Sequence, residues 1–145
     1  MSRVFNPVYS STSDGSDITL CRILEAVAAV AAPVSDGMLP HTNVSVSGVN
    51  ATVVKASYGK VYNFIATNVS NQTKYVKFFD KATTPNPSTD SADYIIPLQN
   101  GQTITIALGT APFVFHNGIS YAMTTSASGA GNVGAGDLVL SLTYL

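Results

Sequence analysis

The chain has 145 residues, 46% hydrophobic and only 10% charged, with seven Lys and Arg against eight Asp and Glu for a net charge of −1. That length predicts one domain with its own core, since a second core would leave each half near the lower size limit. The near-neutral balance excludes the clustered basic surface that nucleic-acid binding requires.

Few charges also imply that neighbours cover part of the surface, because freely diffusing domains carry about 25% charged residues and a net charge away from zero. A Ser/Thr/Asn-rich surface that solvates itself is the alternative. The single cysteine, Cys21, excludes an intrachain disulfide, and with only His41 and His116 beside it there is no four-ligand zinc set. No cofactor is expected.

Met1 to Asp17 is polar and does not read as a signal peptide. Its Ser10 to Ser16 run has too little apolar content to fold unaided. Leu20, Ile23, Leu24, Val27, Val30 and Ala31 then follow three-and-four spacing, with Asp17 as cap and Pro33 as stop, which predicts a helix over 18–32. Interrupted by Arg22 and Glu25, this segment is too short and too charged to span a bilayer, and no membrane partner is expected. Val34 to Thr42, with Pro33, Gly37 and Pro40, reads as a linker. Residues 1–42 are therefore expected to be an arm and linker, and 43–145 the folded domain.

From Asn43 the pattern changes to period two: Val44, Val46 and Val49, then Thr52 to Ser57. Lys60 to Val69 and Lys74 to Phe79 are apolar on both faces, which predicts central positions between layers. Lys81 to Asp93, with Pro85 and Pro87, reads as a long loop of the kind that meets partners. Asn100-Gly101 joins Tyr94 to Leu98 to the alternating Thr103 to Leu108, and Asn117-Gly118 joins Phe113 to Phe115 to Ile119 to Thr124. Each Asn-Gly predicts a tight hairpin with positive φ. A small-residue loop, Ser126 to Gly136, precedes a closing strand, Leu138 to Leu145. Eight or so short strands, about ten residues apart, predict an all-β fold. The expected form is an antiparallel β-sandwich, jelly-roll-like, with an extended N-terminal arm.

Catalytic motifs do not stand out. Gly129, Gly131 and Gly134 have dinucleotide-loop spacing but lead into a terminal strand rather than a helix, so a hairpin loop is the better reading. No G-x-S-x-G, H-E-x-x-H or P-loop lysine occurs, and no enzyme is expected. Asp80, Asp90 and Asp93 offer oxygen ligands without any known calcium spacing and read as solvated turn carboxylates. Lys55, Lys60, Lys74, Lys77 and Lys81 read as solvated strand edges. Tyr58, Tyr62, Tyr75 and Tyr94 read as core aromatics in preference to a glycan-binding face.

The runs Tyr58-Gly59-Lys60-Val61-Tyr62, Asn68-Val69-Ser70-Asn71, Lys74 to Ala82, Pro85 with Thr89-Asp90, Ile96-Pro97-Leu98 and Gly118 to Thr124 carry a family likeness. From Ser57 onward the chain resembles a β-sandwich module of tailed-bacteriophage virion proteins, capsid decoration (cement) proteins among them. The first 56 residues carry no such match.

The resemblance implies a structural role without an active site. It also implies partners among the major capsid protein or other virion subunits, and a place on the capsid surface of a virion assembled in the bacterial host cytoplasm. A homo-oligomer is expected, a trimer suiting capsid symmetry axes. The alternative is a tail, fibre or baseplate module that binds a receptor or glycan through Lys81 to Asp93. Candidate partner-binding residues are Arg3, Phe5 and Tyr9 in the arm, Ile23 and Leu24 in the apolar segment, and Pro85 and Asp90 in the loop.

Overall fold

Runs of β-branched and aromatic residues punctuated by Gly, Pro, Asn and Asp leave a chain little choice but extended strands. The computed structural model describes residues 37–145, and within them nine strands form. β1 is Leu39–Val44, β2 Thr52–Lys55, β3 Gly59–Asn68, β4 Lys74–Asp80 and β5 Tyr94–Leu98. β6 is Thr103–Ala107, β7 Phe113–Phe115, β8 Ile119–Thr124 and β9 Leu138–Tyr144. The helix expected over 18–32 and the arm before residue 37 lie outside the described residues.

The strands make two antiparallel sheets, one ordered β1-β9-β3-β6 with β7 also on β3, the other β2-β8-β4-β5. This is the strand order of a jelly-roll sandwich, the fold class expected. Only β4 to β5 and β6 to β7 connect within a sheet; every other connection crosses.

Register decides which side chains meet. In the first sheet Leu142, Phe64 and Ile106 stand side by side, as do Leu140, Ala66 and Ile104. In the second, Met123, Val76 and Ile96 form one row and Tyr121, Phe78 and Tyr94 the next. These rows close on a single core. Phe78 is at its centre, its ring 5.6 Å from Phe64 and 6.2 to 6.3 Å from Phe113, Phe115 and Tyr121. β3 and β4 each have a strand on either side, but only β4 is covered on both faces as expected; β3 turns Asn63, Ile65 and Thr67 outward, Ile65 being 46% exposed.

Neither Asn-Gly pair closes a hairpin. Asn100-Gly101 links β5 to β6 and Asn117-Gly118 links β7 to β8, and in both cases the two strands belong to different sheets. A type I′ hairpin turn needs positive φ at both central residues, but among these four only Gly101, at 67°, has it. With Gln102 N–H donating to Gln99 O at 3.1 Å, Asn100-Gly101 follows the type II pattern, which takes positive φ at the third turn residue alone. Gly118 is needed for space instead. A Cβ there would lie 2.8 Å from Ala82 Cα and from the Lys55 and Lys81 carbonyl oxygens.

The expected linker also ends sooner than the sequence suggests. Leu39–Val44 pairs with β9 along its whole length, Leu39 opposite Tyr144 and Val44 opposite Val139. Ser45 N–H donates to Leu138 O at 2.8 Å, so odd-numbered residues turn their backbone to β9 and even-numbered ones to the free edge. Pro40 therefore fits, its missing N–H being on the unpaired side.

Lys74 and Lys77, read as solvated, are 5% and 2% exposed. Both faces of β4 are covered, so no position on it is a solvated edge. Lys74 pairs with Asp137 at 3.1 Å. Lys77 Nζ donates to Gly129 O at 2.7 Å, and burial holds its pKa below the ordinary lysine value.

Candidate interaction surface

The alternation that turns Leu, Phe and Ile inward leaves three residues from each of four strands facing out of the first sheet. They are Pro40, Thr42 and Val44 of β1, Val139, Ser141 and Thr143 of β9, Asn63, Ile65 and Thr67 of β3, and Thr103, Thr105 and Ala107 of β6. None of these twelve carries a charge; the charged Lys60, between buried Gly59 and Val61 and opposite Val114 of β7, faces out beyond their end of β3. Two rows run straight across the sheet, Thr42-Ser141-Ile65-Thr105 and Val44-Val139-Thr67-Thr103. Val44 and Ile65 are 51% and 46% exposed.

Pairs whose backbones do not bond to each other bring side chains closest, and here that closeness satisfies hydroxyls laterally. Thr42 Oγ1 and Ser141 Oγ are 3.1 Å apart, and Thr67 Oγ1 and Thr103 Oγ1 are 3.0 Å apart. A hydroxyl already hydrogen-bonded within its own surface loses less when water is removed. The face is thus suited to being covered. Strand spacing of about 4.8 Å and rise of about 3.3 Å per residue give it an area of roughly 300 Å². A standard interface buries about 800 Å² per partner, so this face supplies only part of a stable contact.

The second sheet differs. On its outward side Lys77, Phe79, Ser120, Ala122 and Thr124 are all buried, and the Lys77 bond places the 126–131 loop over β4.

The 81–93 loop uses its polar groups internally. Pro85 is buried, and so is Pro87. Asp90 accepts from Lys81 Nζ and, at 2.7 Å, from Asn86 N–H, and the Lys81 ammonium followed by the Asn86 amide holds its carboxyl below the usual range. Asp93 Oδ2 accepts from Asp80 N–H at 2.6 Å. Asp80 Oδ1 accepts from the amides of Asn117 and Gly118 at 2.6 and 3.2 Å. Of the three carboxylates read as solvated, Asp80 clasps the turn at Asn117 and Gly118, Asp90 is held within its own loop, and Asp93 remains exposed while bonding the end of β4. Among the described residues no three His, Cys, Asp or Glu converge on a metal position. The loop exposes Ala82, Thr83, Thr84, Asn86, Ser88, Thr89, Ser91 and Asp93.

Arg3, Phe5, Tyr9, Ile23, Leu24 and Cys21 lie outside the described residues. His41 packs inward from β1, its Nε2 3.0 Å from Tyr121 Oη, which also accepts from Asn43 Nδ2 at 2.7 Å. Burial lowers the His41 pKa. Of the tyrosines assigned to the core, Tyr94 stacks on Phe113 at 3.8 Å, whereas Tyr58 is 49% exposed. Tyr62 and Tyr75 sit on different sheets, so the four do not form one glycan platform. Sequence reasoning missed the uncharged face itself. The charge-free stretch between Asp93 and Asp137 signals only its β6 part, since β1, β3 and β9 lie outside that stretch.

Residues 37–145 thus form an antiparallel jelly-roll sandwich whose distinguishing surface is the uncharged part of one sheet face. No family model matches it, and no curated protein does. Among solved structures, the coat protein of Tobacco streak virus is similar over 77% of this chain and 88% of its own length, at 8% identity and a TM-score of 0.34. A likeness of that degree carries no functional argument.

Proposed function

We propose that the chain is a non-enzymatic structural subunit of a virion, a capsid decoration (cement) protein of a tailed phage that binds and stabilises the head lattice. The observation that carries this reading is the uncharged, laterally hydrogen-bonded part of the first sheet's outer face. Covering such a face strips no ion of its water. Repeated over a lattice, a contact of modest area suffices, because linked sites act together.

The jelly roll alone does not decide the matter, since the same architecture hosts capsid, lectin and cupin domains. The resemblance of Lys74 to Ala82 and Gly118 to Thr124 to phage virion modules favours the capsid role. In this reading residues 1–36, with Arg3, Phe5, Tyr9, Ile23 and Leu24, reach across neighbouring major capsid protein subunits and supply the area the sheet face lacks. The exposed tip of the 81–93 loop, rather than buried Pro85 or clasped Asp90, adds contacts.

A gold-labelled antibody against residues 37–145, applied to virions of the encoding phage, is expected to decorate the whole head. Label confined to the tail or baseplate would favour the receptor- or glycan-binding module, and particles without label would refute a virion role. Removing residues 1–36 leaves β1 whole. That truncation is expected to abolish head binding while the sandwich keeps its thermal transition.

A further inference from the structure

We infer that the open edge of β6 is a strand-pairing site for β6 of a second copy, joining two sandwiches through one continuous sheet. This goes beyond the virion reading and does not depend on it. Edge strands present unpaired N–H and C=O groups, and proteins blunt them with proline, charge, bulges or short length. Among the described residues the edge strands other than β6 carry such devices, β7 by being three residues long.

On the β1 edge Pro40 lacks a donor, and Asn50 occupies the bonding position of Val46, just past the end of the strand. Its side chain accepts from Val46 N–H and donates to Val46 O, both at 2.8 Å. β2 has four residues, ends in Lys55 and breaks register between Val53 and Lys55. β5 contains Pro97. β6 has none of these. It reads Thr103-Ile104-Thr105-Ile106-Ala107, and its register with β3 is unbroken.

Hydrogen-bond parity shows which groups are free. Gln102 O accepts from Asn68 N–H and Leu108 N–H donates to Tyr62 O, both at 2.8 Å. Even-numbered residues therefore turn their backbone to β3, and Thr103, Thr105 and Ala107 turn theirs outward. Among the described residues no strand pairs with them.

A second copy fits this edge on three counts. Antiparallel pairing about Thr105 sets Thr105 against Thr105 and Thr103 against Ala107, giving about six backbone hydrogen bonds. No like charges meet, because the strand has none. Ile104 and Ile106, half-buried at the core's margin, come to lie opposite each other and complete their burial. The two uncharged faces also merge, doubling roughly 300 Å² to roughly 600 Å², which approaches the 800 Å² or so of a standard interface side. An extended segment of another protein would satisfy the hydrogen bonds without enlarging that face.

The test is directed disulfide formation in the full chain with Cys21→Ser, which removes its single cysteine. Residues of a bonded antiparallel pair have Cα atoms about 5.5 Å apart, within the roughly 4.4–6.8 Å that a disulfide spans. Thr105→Cys is expected to give a covalent dimer through position 105 under mild oxidation. Thr103→Cys alone is expected to give none, its two copies standing roughly 13 Å apart along the pair, but should cross-link when mixed with Ala107→Cys. Thr105→Pro, whose lost N–H is off the β3 ladder, should keep the thermal transition and lose the dimer in sedimentation velocity.

Absence of the 105–105 disulfide overturns the inference. So does Thr103→Cys cross-linking alone as readily as Thr105→Cys, which would mean random collision. Failure of the virion reading would leave this cross-linking pattern intact.

Discussion

Replacing Asp80 by alanine should remove a clasp on which the crossover from β7 to β8 depends. Asp80 Oδ1 accepts the Asn117 and Gly118 amides at 2.6 and 3.2 Å, and Oδ2 accepts Asn117 Nδ2 at 3.3 Å. Burial pushes the Asp80 pKa up, but the amides of Asn117, Gly118 and His116 outweigh that and hold it below the ordinary carboxylate value. Hydrogen bonds to a charged group contribute roughly 1.5–3 kcal/mol each, and partial exposure discounts them. The two amide bonds together then amount to about 2–3 kcal/mol. That is a large share of the roughly 5–15 kcal/mol that holds a domain folded.

For a domain of about 100 residues, each kcal/mol moves the Tm by about 4–8 °C, so Asp80→Ala is expected to melt roughly 8–24 °C lower at neutral pH. Asp80→Asn keeps one oxygen for the amides and should lose about half as much. The sign of the pH dependence follows from the lowered pKa. The stabilisation is present above the unfolded value of about 3.9 and is lost as pH falls through the folded value below it. Thermal unfolding followed by circular dichroism from about pH 7 to pH 2 should show the gap between wild type and Asp80→Ala closing in that acid range. A gap that persists unchanged at the acid end, or none at neutral pH, would refute the clasp.

Phe78→Ala should cost about 3–5 kcal/mol, because it empties the point where Phe64, Phe113, Phe115 and Tyr121 converge; an unchanged urea midpoint would place the centre of the core elsewhere. Position 101 is constrained by φ and position 118 by space. Asn, which tolerates left-handed backbone, should therefore substitute at Gly101 with little loss in a urea titration. At Gly118 Asn or Ala should each cost about 1–3 kcal/mol or more, through backbone displacement. Equal tolerance at the two sites would contradict this division.

Strand positions were legible along the chain because the period of two is a local property. Leu138, Leu140 and Leu142 face inward wherever β9 sits, and β3 and β4 advertise central places by being apolar on both faces. The 81–93 segment was recognisable as a loop from its prolines, but not that Pro85 would be buried and Asp90 clasped by Lys81. The uncharged face was hidden for a similar reason. Its Thr and Val residues are scattered over four strands, and only register assembles them.

Composition and alternation by themselves determined few charges and, for the described residues, an all-β fold. Tertiary structure alone decided sheet membership, and with it whether Asn-Gly closes a hairpin or carries the chain across the sandwich. It also decided that Leu39 to Val44 is a strand and that Lys77 is buried. The physical reason is sequence separation: β1 is held by β9 some hundred residues on, as in the bond between Thr42 and Ser141, 99 positions apart, and Lys77 finds its acceptor 52 positions away at Gly129. No local pattern encodes partners that distant; the packing of two sheets on one core brings them together.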